Sequence, residues 1–137
     1  GLGPVRAADY FMGSHSQREY VEFANEQTLV LPQVETMDCV DALEDIINVE
    51  GVDGIIIGPR DLAMSMGYYD GPAHPEVKRM IDHIFKLVLE NGKFVGTVAG
   101  TAEQAQVLKK KGATMILNTV QGLLKVAGKQ FLSARNA

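Results

Sequence analysis

The feature that most constrains this chain is its alternation between short, β-branched apolar runs and longer segments whose apolar residues recur at helical spacing. Thr28–Val34 (TLVLPQV), Asp53–Ile57 (DGIII), Lys93–Val98 and Ala113–Asn118 read as strands. The unbroken DGIII run is the pattern of a strand covered on both faces. Between and after these runs lie helices. Thr36–Val49 carries Val40, Leu43, Ile46 and Ile47 on one face. Pro59–Met66 reads as one or two helical turns opened by proline. Pro75–Asn91 places Val77, Ile81, Ile84 and Val88 on one stripe, widened by Met80 and Leu87, and Gly92 stops it. In Thr101–Gly112, Thr101 and Gln104 fit a capping box. Val120–Ala134 is a final helix, and short helices are expected around Val5–Phe11 and Gln17–Ala24. Gly67–Ala73 reads as a loop.

Strands separated by crossover helices make a parallel sheet in an α/β protein. Two architectures fit. An open flavodoxin-like sheet needs about this length. A (β/α)8 barrel needs roughly 250 residues, so four strands would be about half of one. Both place ligands at the carboxyl ends of the strands.

Composition narrows the function. The chain has 137 residues, 46% of them hydrophobic, too apolar for disorder and enough for one domain or part of one. Thirteen Lys+Arg against 17 Asp+Glu give a net charge of −4 with no basic block. That charge argues against nucleic acid or an anionic membrane as the main partner. The single cysteine, Cys39, excludes an internal disulfide, and no apolar leader opens the sequence, so a reducing cytoplasm is expected. The GLG opening without an initiator Met is expected of a piece of something longer.

The chemistry-bearing residues cluster at two strand ends. The first strand runs into Gln33-Val34-Glu35-Thr36, the second into Gly58-Pro59-Arg60-Asp61-Leu62. Adjacent strands lie about 4.8 Å apart, so Glu35 and Asp61 can reach one point. Two carboxylates that close either share a proton or share a cation, and a hard divalent ion suits oxygen donors. The alternative is that Glu35 caps the next helix and Asp61 caps the Leu62 turn. Gly58 permits close backbone approach, and Pro59 starts a helix whose Arg60 and Asp61 amides would face a carboxylate or phosphate. An ordinary βα turn is the competing reading. His74 reads as a capping or surface histidine, His83 as a partly buried edge residue, and His15 as part of a polar loop. The small residues of Gly96–Gly100 (GTVAG) either leave room for an aldehyde or let a helix pack close. Tyr68 and Tyr69 read equally as a subunit contact or a surface loop.

The ordered motif Gln33-Val34-Glu35-Thr36, then Val49-Glu50-Gly51-Val52-Asp53-Gly54-Ile55-Ile56-Ile57-Gly58-Pro59-Arg60-Asp61-Leu62, then Ser65-Met66-Gly67, Gly71 and His74-Pro75-Glu76-Val77, resembles the metal-dependent class II pyruvate aldolases. These are enzymes of the 4-hydroxy-2-oxoheptanedioate and 2-dehydro-3-deoxyglucarate aldolase type. Gly3-Pro4-Val5-Arg6-Ala7-Ala8 resembles the segment after their fourth strand. The resemblance implies a (β/α)8 barrel of the phosphoenolpyruvate/pyruvate type. Residues 1–137 would be a single partial domain, the C-terminal half with strands five to eight. It implies Glu35 and Asp61 as ligands of Mg²⁺, Mn²⁺ or Co²⁺. Gln33 would lie beside the keto oxygen, and the Gly58-Pro59-Arg60-Asp61 turn would hold the carboxylate of a 2-oxo acid. The reaction implied is carbon–carbon cleavage or condensation through a metal-stabilised enolate, giving pyruvate and an aldehyde. The general-base histidine would lie in the other half, leaving this half inactive alone. The resemblance further implies a homo-oligomer, dimers exchanging the last helix and building a hexamer. Ala63, where many relatives carry serine, and Asn118-Thr119-Val120-Gln121 depart from the family pattern and bear on the second substrate. No Schiff-base lysine is expected, since Lys93, Lys109 and Lys125 fall away from the strand ends.

Overall fold

The computed structural model describes residues 3–4, 6–13 and 16–133. Four parallel strands, β1 (Gln33–Val34), β2 (Gly54–Ile57), β3 (Phe94–Val98) and β4 (Met115–Leu117), form one sheet in the order β1-β2-β3-β4. Each strand lies beside its predecessor. A doubly wound sheet would reverse direction at a switch point, and no reversal occurs among the described strands.

The helices are α1 (Gln17–Gln27), α2 (Met37–Asp41), α3 (Leu43–Asn48), α4 (Pro59–Ser65), α5 (Pro75–Glu90), α6 (Ala102–Lys110) and α7 (Val120–Ser133). A kinked 3-10 segment, Arg6–Phe11, precedes them. The expected first strand begins at Thr28, yet the ladder holds only Gln33 and Val34. Residues 30–32 still run beside β2, since the Asp53 and Ile56 amides donate to the Val30 and Pro32 carbonyls at 3.0 and 2.9 Å. Pro32 has no N–H, so regular pairing starts only after it on this edge strand. The single helix expected over Thr36–Val49 is split at Ala42 (φ −93°, ψ 9°) into α2 and α3. The apolar stripe crosses the break: Leu43 and Ile47 are fully buried, with Val40 and Ile46 packed against them. His15 and Ala134 lie outside the described residues.

One face of the sheet carries the core. Val34 on β1, Ile55 and Ile57 on β2, and Val95 on β3 are completely buried against Leu43, Ile47, Leu62, Ile84 and Val88 of the helices. Each such side chain contributes about 1.5–3 kcal/mol by leaving water. Phe85 joins the expected α5 stripe as a buried residue, while Ile81 is only half-buried. His83, expected at the buried edge, is exposed on the outer side of the helix. The register Gln33↔Ile56↔Gly96↔Met115 defines the opposite face. There Phe94 and Val98 stay 50% and 49% exposed. A cavity of about 200 Å³ lined by Leu29, Leu31, Ile56, Phe94 and Met115 opens on that side.

Candidate functional site

The site grows from the end of β1 and β2. Val34 pairs with Ile57, so the next residues, Glu35 and Gly58, emerge side by side at the carboxyl rim. Side chains alternate along a strand, which puts Gln33 and Glu35 together on the open face. The Gln33 amide Nε2 donates to the Glu35 Oε2 at 2.5 Å. This bond fixes one carboxylate oxygen and keeps the charged group at the rim.

Capping, the competing role for Glu35, belongs to its neighbour. Thr36 is the N-cap of α2, and its hydroxyl accepts from the Cys39 amide at 3.3 Å. The start of α2 is tied down again by Ser65, whose hydroxyl accepts from the Met37 amide at 2.9 Å. The sequence offered no signal for that tie, because it joins residues 28 apart. Glu35 is thus half-buried and held by Gln33 rather than spent on a helix end.

Gly58 is what lets the carboxylate lie where it does. A Cβ at Gly58 would come within 2.7 Å of Glu35 Oε2, 2.9 Å of Glu35 Cβ and 3.0 Å of Gln33 Nε2. Real Cβ atoms do not approach so closely, and because Glu35 Cβ is fixed to the strand end, a side chain at position 58 would force Glu35 and Gln33 to shift. Gly58 is also the N-cap of α4, with no side chain to satisfy the helix amides. Pro59 has no amide to offer and the Leu62 amide is taken by the Gly58 carbonyl at 2.9 Å. The first-turn amides of Arg60 and Asp61 therefore have no partner within the helix. Asp61 itself is exposed at the third position of α4 and makes no side-chain hydrogen bond among the described residues, so it does not cap the Leu62 turn.

Gln33, Glu35 and Gly58 are thus in contact at the carboxyl rim of β1 and β2, and Asp61 follows on the first turn of α4. No three of His, Cys, Asp and Glu converge among the described residues. The space over Gly58 is taken by the Glu35 carboxylate and the Gln33 amide, and oxygen donors such as the Glu35 and Asp61 carboxylates are of the type that hard divalent cations take. The histidines stand elsewhere. His74 caps α5, its Nδ1 accepting from the Glu76 amide at 3.2 Å, and its ring stacks on Tyr68 at 3.8 Å between centroids. Lys93 sits at the opposite, amino end of β3 and donates to the Val52 carbonyl at 2.6 Å. Lys109 and Lys125 lie on α6 and α7.

The sequence pattern of the HpcH/HpaI aldolase/citrate lyase family matches residues 5–127. An Escherichia coli 4-hydroxy-2-oxo-heptane-1,7-dioate aldolase is 37% identical over 117 residues, covering 85% of this chain and 45% of that protein. A 2-keto-3-deoxy-L-rhamnonate aldolase from Escherichia coli O1:K1 / APEC is 37% identical over 105 residues, covering 77% of this chain and 39% of that protein. The crystal structure of an HpcH/HpaI aldolase/citrate lyase family protein from Burkholderia cenocepacia superposes with a TM-score of 0.86 at 31% identity, over 100% of this chain and 52% of that one. The chain spans about half the length of the relatives it matches. It belongs to the HpcH/HpaI aldolase/citrate lyase family.

Proposed function

We propose that this chain forms strands five to eight of a (β/α)8 barrel, and that the complete enzyme is a divalent-metal-dependent aldolase acting on a 2-oxo acid. The observation that carries the reading is the Glu35 carboxylate seated over Gly58 beside the Gln33 amide, at the rim where α4 begins. A sheet wound in one direction, with helices covering one face and an apolar face left open, suits half a barrel.

Glu35 and Asp61 would hold Mg²⁺, Mn²⁺ or Co²⁺. Bound there, the cation supplies Lewis acidity toward the carboxylate and keto oxygens of the substrate. The residues of this chain do the rest. The amides of Arg60 and Asp61, at the positive end of α4, receive the substrate carboxylate. Gly58 and Pro59 shape the turn so that this carboxylate meets backbone rather than side chains. The Gln33 amide orients Glu35 and stands beside the keto oxygen. In the cleavage direction, a base takes the proton of the 4-hydroxyl group. The C3–C4 bond then breaks, the aldehyde leaves, and the electron pair moves toward C2 so that negative charge collects on the keto oxygen. Donors preorganised around that oxygen stabilise the charge as it develops. His74 is committed to the α5 cap and His83 faces outward from the same helix. The family resemblance puts the general base in the barrel's other half, so this chain alone is expected to turn over negligibly.

The last helix supports an oligomeric enzyme. None of the described residues of α7 is buried, and Leu124 and Phe131 are 66% and 82% exposed. Exchange of this helix between the subunits of a dimer, with dimers building a hexamer, would cover them. Among the described residues no helix is long and apolar enough to cross a membrane. Half-buried, unpaired Cys39 suits a reducing cytoplasm.

The test is release of pyruvate from a 4-hydroxy-2-oxo acid by the intact protein with Mg²⁺, Mn²⁺ or Co²⁺. Glu35→Ala should lower turnover by more than about a hundredfold, since Lewis-acid stabilisation is worth several kcal/mol. Undiminished turnover in the variant removes the proposal.

A further inference from the structure

The geometry points to Thr97 on β3 as a positioning residue for the cation site, acting through the Ile57–Gly58 peptide; this rests on the reading of Glu35 and Asp61 given above. Thr97 is the one buried polar side chain among the described residues, 2% exposed. Its hydroxyl donates to the Ile57 carbonyl at 3.2 Å. The ladder between β2 and β3 ends one residue earlier, at Ile56↔Gly96. Beyond that point the chain leaves β2 through Gly58 and Pro59 into α4. The threonine hydroxyl takes over where the ladder stops.

The same peptide is gripped from the other side. The Gly58 amide donates to the Val34 carbonyl of β1 at 3.0 Å. The Ile57–Gly58 unit is therefore clamped by its carbonyl to β3 and by its amide to β1. Everything in the site hangs from it. Gly58 Cα forms the floor under the Glu35 carboxylate. Asp61 follows three residues later on the helix that Gly58 caps. A small rotation of this peptide would move the floor under Glu35 and the helix bearing Asp61 together. From sequence alone the GTVAG segment reads as room for an aldehyde or as a close helix contact. The structure turns Thr97 away from the open face and onto a main-chain carbonyl, so its contribution is a hydrogen bond.

Valine is the near-isosteric probe, because it removes the hydroxyl and keeps the branched shape. Serine keeps the hydroxyl and removes the methyl group. The experiment is Mn²⁺ titration of the intact protein, followed by electron paramagnetic resonance of free Mn²⁺, with thermal unfolding measured in parallel. Wild type, Thr97→Val, Thr97→Ser and Glu35→Gln are compared. Thr97→Val should weaken Mn²⁺ binding by about tenfold, the lower end of what outer partners of a metal site contribute. Thr97→Ser should restore binding close to wild type, although it unfolds at a lower temperature than wild type. If Thr97→Val unfolds earlier but binds Mn²⁺ like wild type, or if serine does not rescue, the positioning role is overturned and Thr97 is only a core hydrogen bond. If Glu35→Gln binds Mn²⁺ like wild type, or wild type binds none, the reading of the site itself fails and takes the role of Thr97 with it.

Discussion

The two faces of the β1–β4 sheet are made of similar residues and meet different fates. On one, Val34, Ile55, Ile57 and Val95 are sealed under α3, α4 and α5. On the other, Ile56 and Met115 are half-covered, and Phe94, Val98 and Leu117 stand open. Strands of a parallel sheet carry apolar residues on both sides because both sides are normally covered. The open face carries apolar residues with no helix over them, and it is the face on which Gln33 and Glu35 lie. The buried core lies on the helix side and the proposed site on the open side, with Gly58 and Thr97 at the junction.

The sharpest way to break this contrast is to cut into each face in turn. Ile57→Ala should destabilise the chain by about 2–5 kcal/mol, because a fully buried side chain leaves a cavity. Urea unfolding measures it, and a loss below about 1 kcal/mol would mean the helix side is not the core. At the junction, Gly58→Ala should weaken Mn²⁺ binding by about tenfold or more in the intact protein, as the new Cβ displaces Glu35 and Gln33. Calorimetric titration reads this, and unchanged affinity would show that the space over Gly58 is not the site. A milder effect belongs to the helix layer. His74→Ala removes the cap of α5 and should cost about 1 kcal/mol. On the open face, Phe94→Ser combined with Val98→Ser should change the stability of the 137-residue chain by no more than about 0.5 kcal/mol. The same pair should reduce self-association of that chain, seen by light scattering, because it breaks up an exposed apolar patch.

The smallest effect concerns acid. The Glu103 carboxyl is held below its ordinary range, first by a backbone hydrogen bond at Glu103 itself and then by the Thr101 hydroxyl. A lowered carboxyl pKa adds stability above the ordinary glutamate value, about 4.3, and that contribution disappears as pH falls through the lowered value. Glu103→Gln should therefore be slightly less stable than wild type at neutral pH and indistinguishable from it in strong acid. An unfolding series across pH checks the sign.

Much of this was legible in the sequence, for definable reasons. The α5 stripe and the DGIII strand follow from periodicity alone, and Pro75 and Gly92 set the helix bounds. The Thr101 cap was visible too, but the Gln104 side chain bonds the Gly100 amide at 2.8 Å rather than closing the box on Thr101. A true box forms instead at Ser16 and Glu19, where the sequence carries the same signal. Glu35 and Asp61 could be named from strand-end position, and register then put Glu35 beside Gly58. What escaped was everything joining distant residues. The Thr97 hydroxyl reaches a carbonyl 40 residues away, and Ser65 reaches an amide 28 away. Spacing along a chain carries no trace of such bonds. The split at Ala42 was equally hidden, since no glycine or proline marks it.

The claim on which the account turns is a cation between two side chains, and anomalous scattering locates it directly. Crystals of the intact protein grown with manganese should show one strong peak within about 2.2 Å of a carboxylate oxygen from each of Glu35 and Asp61. A peak bound to other residues, or no peak at a manganese concentration that supports turnover, would contradict it.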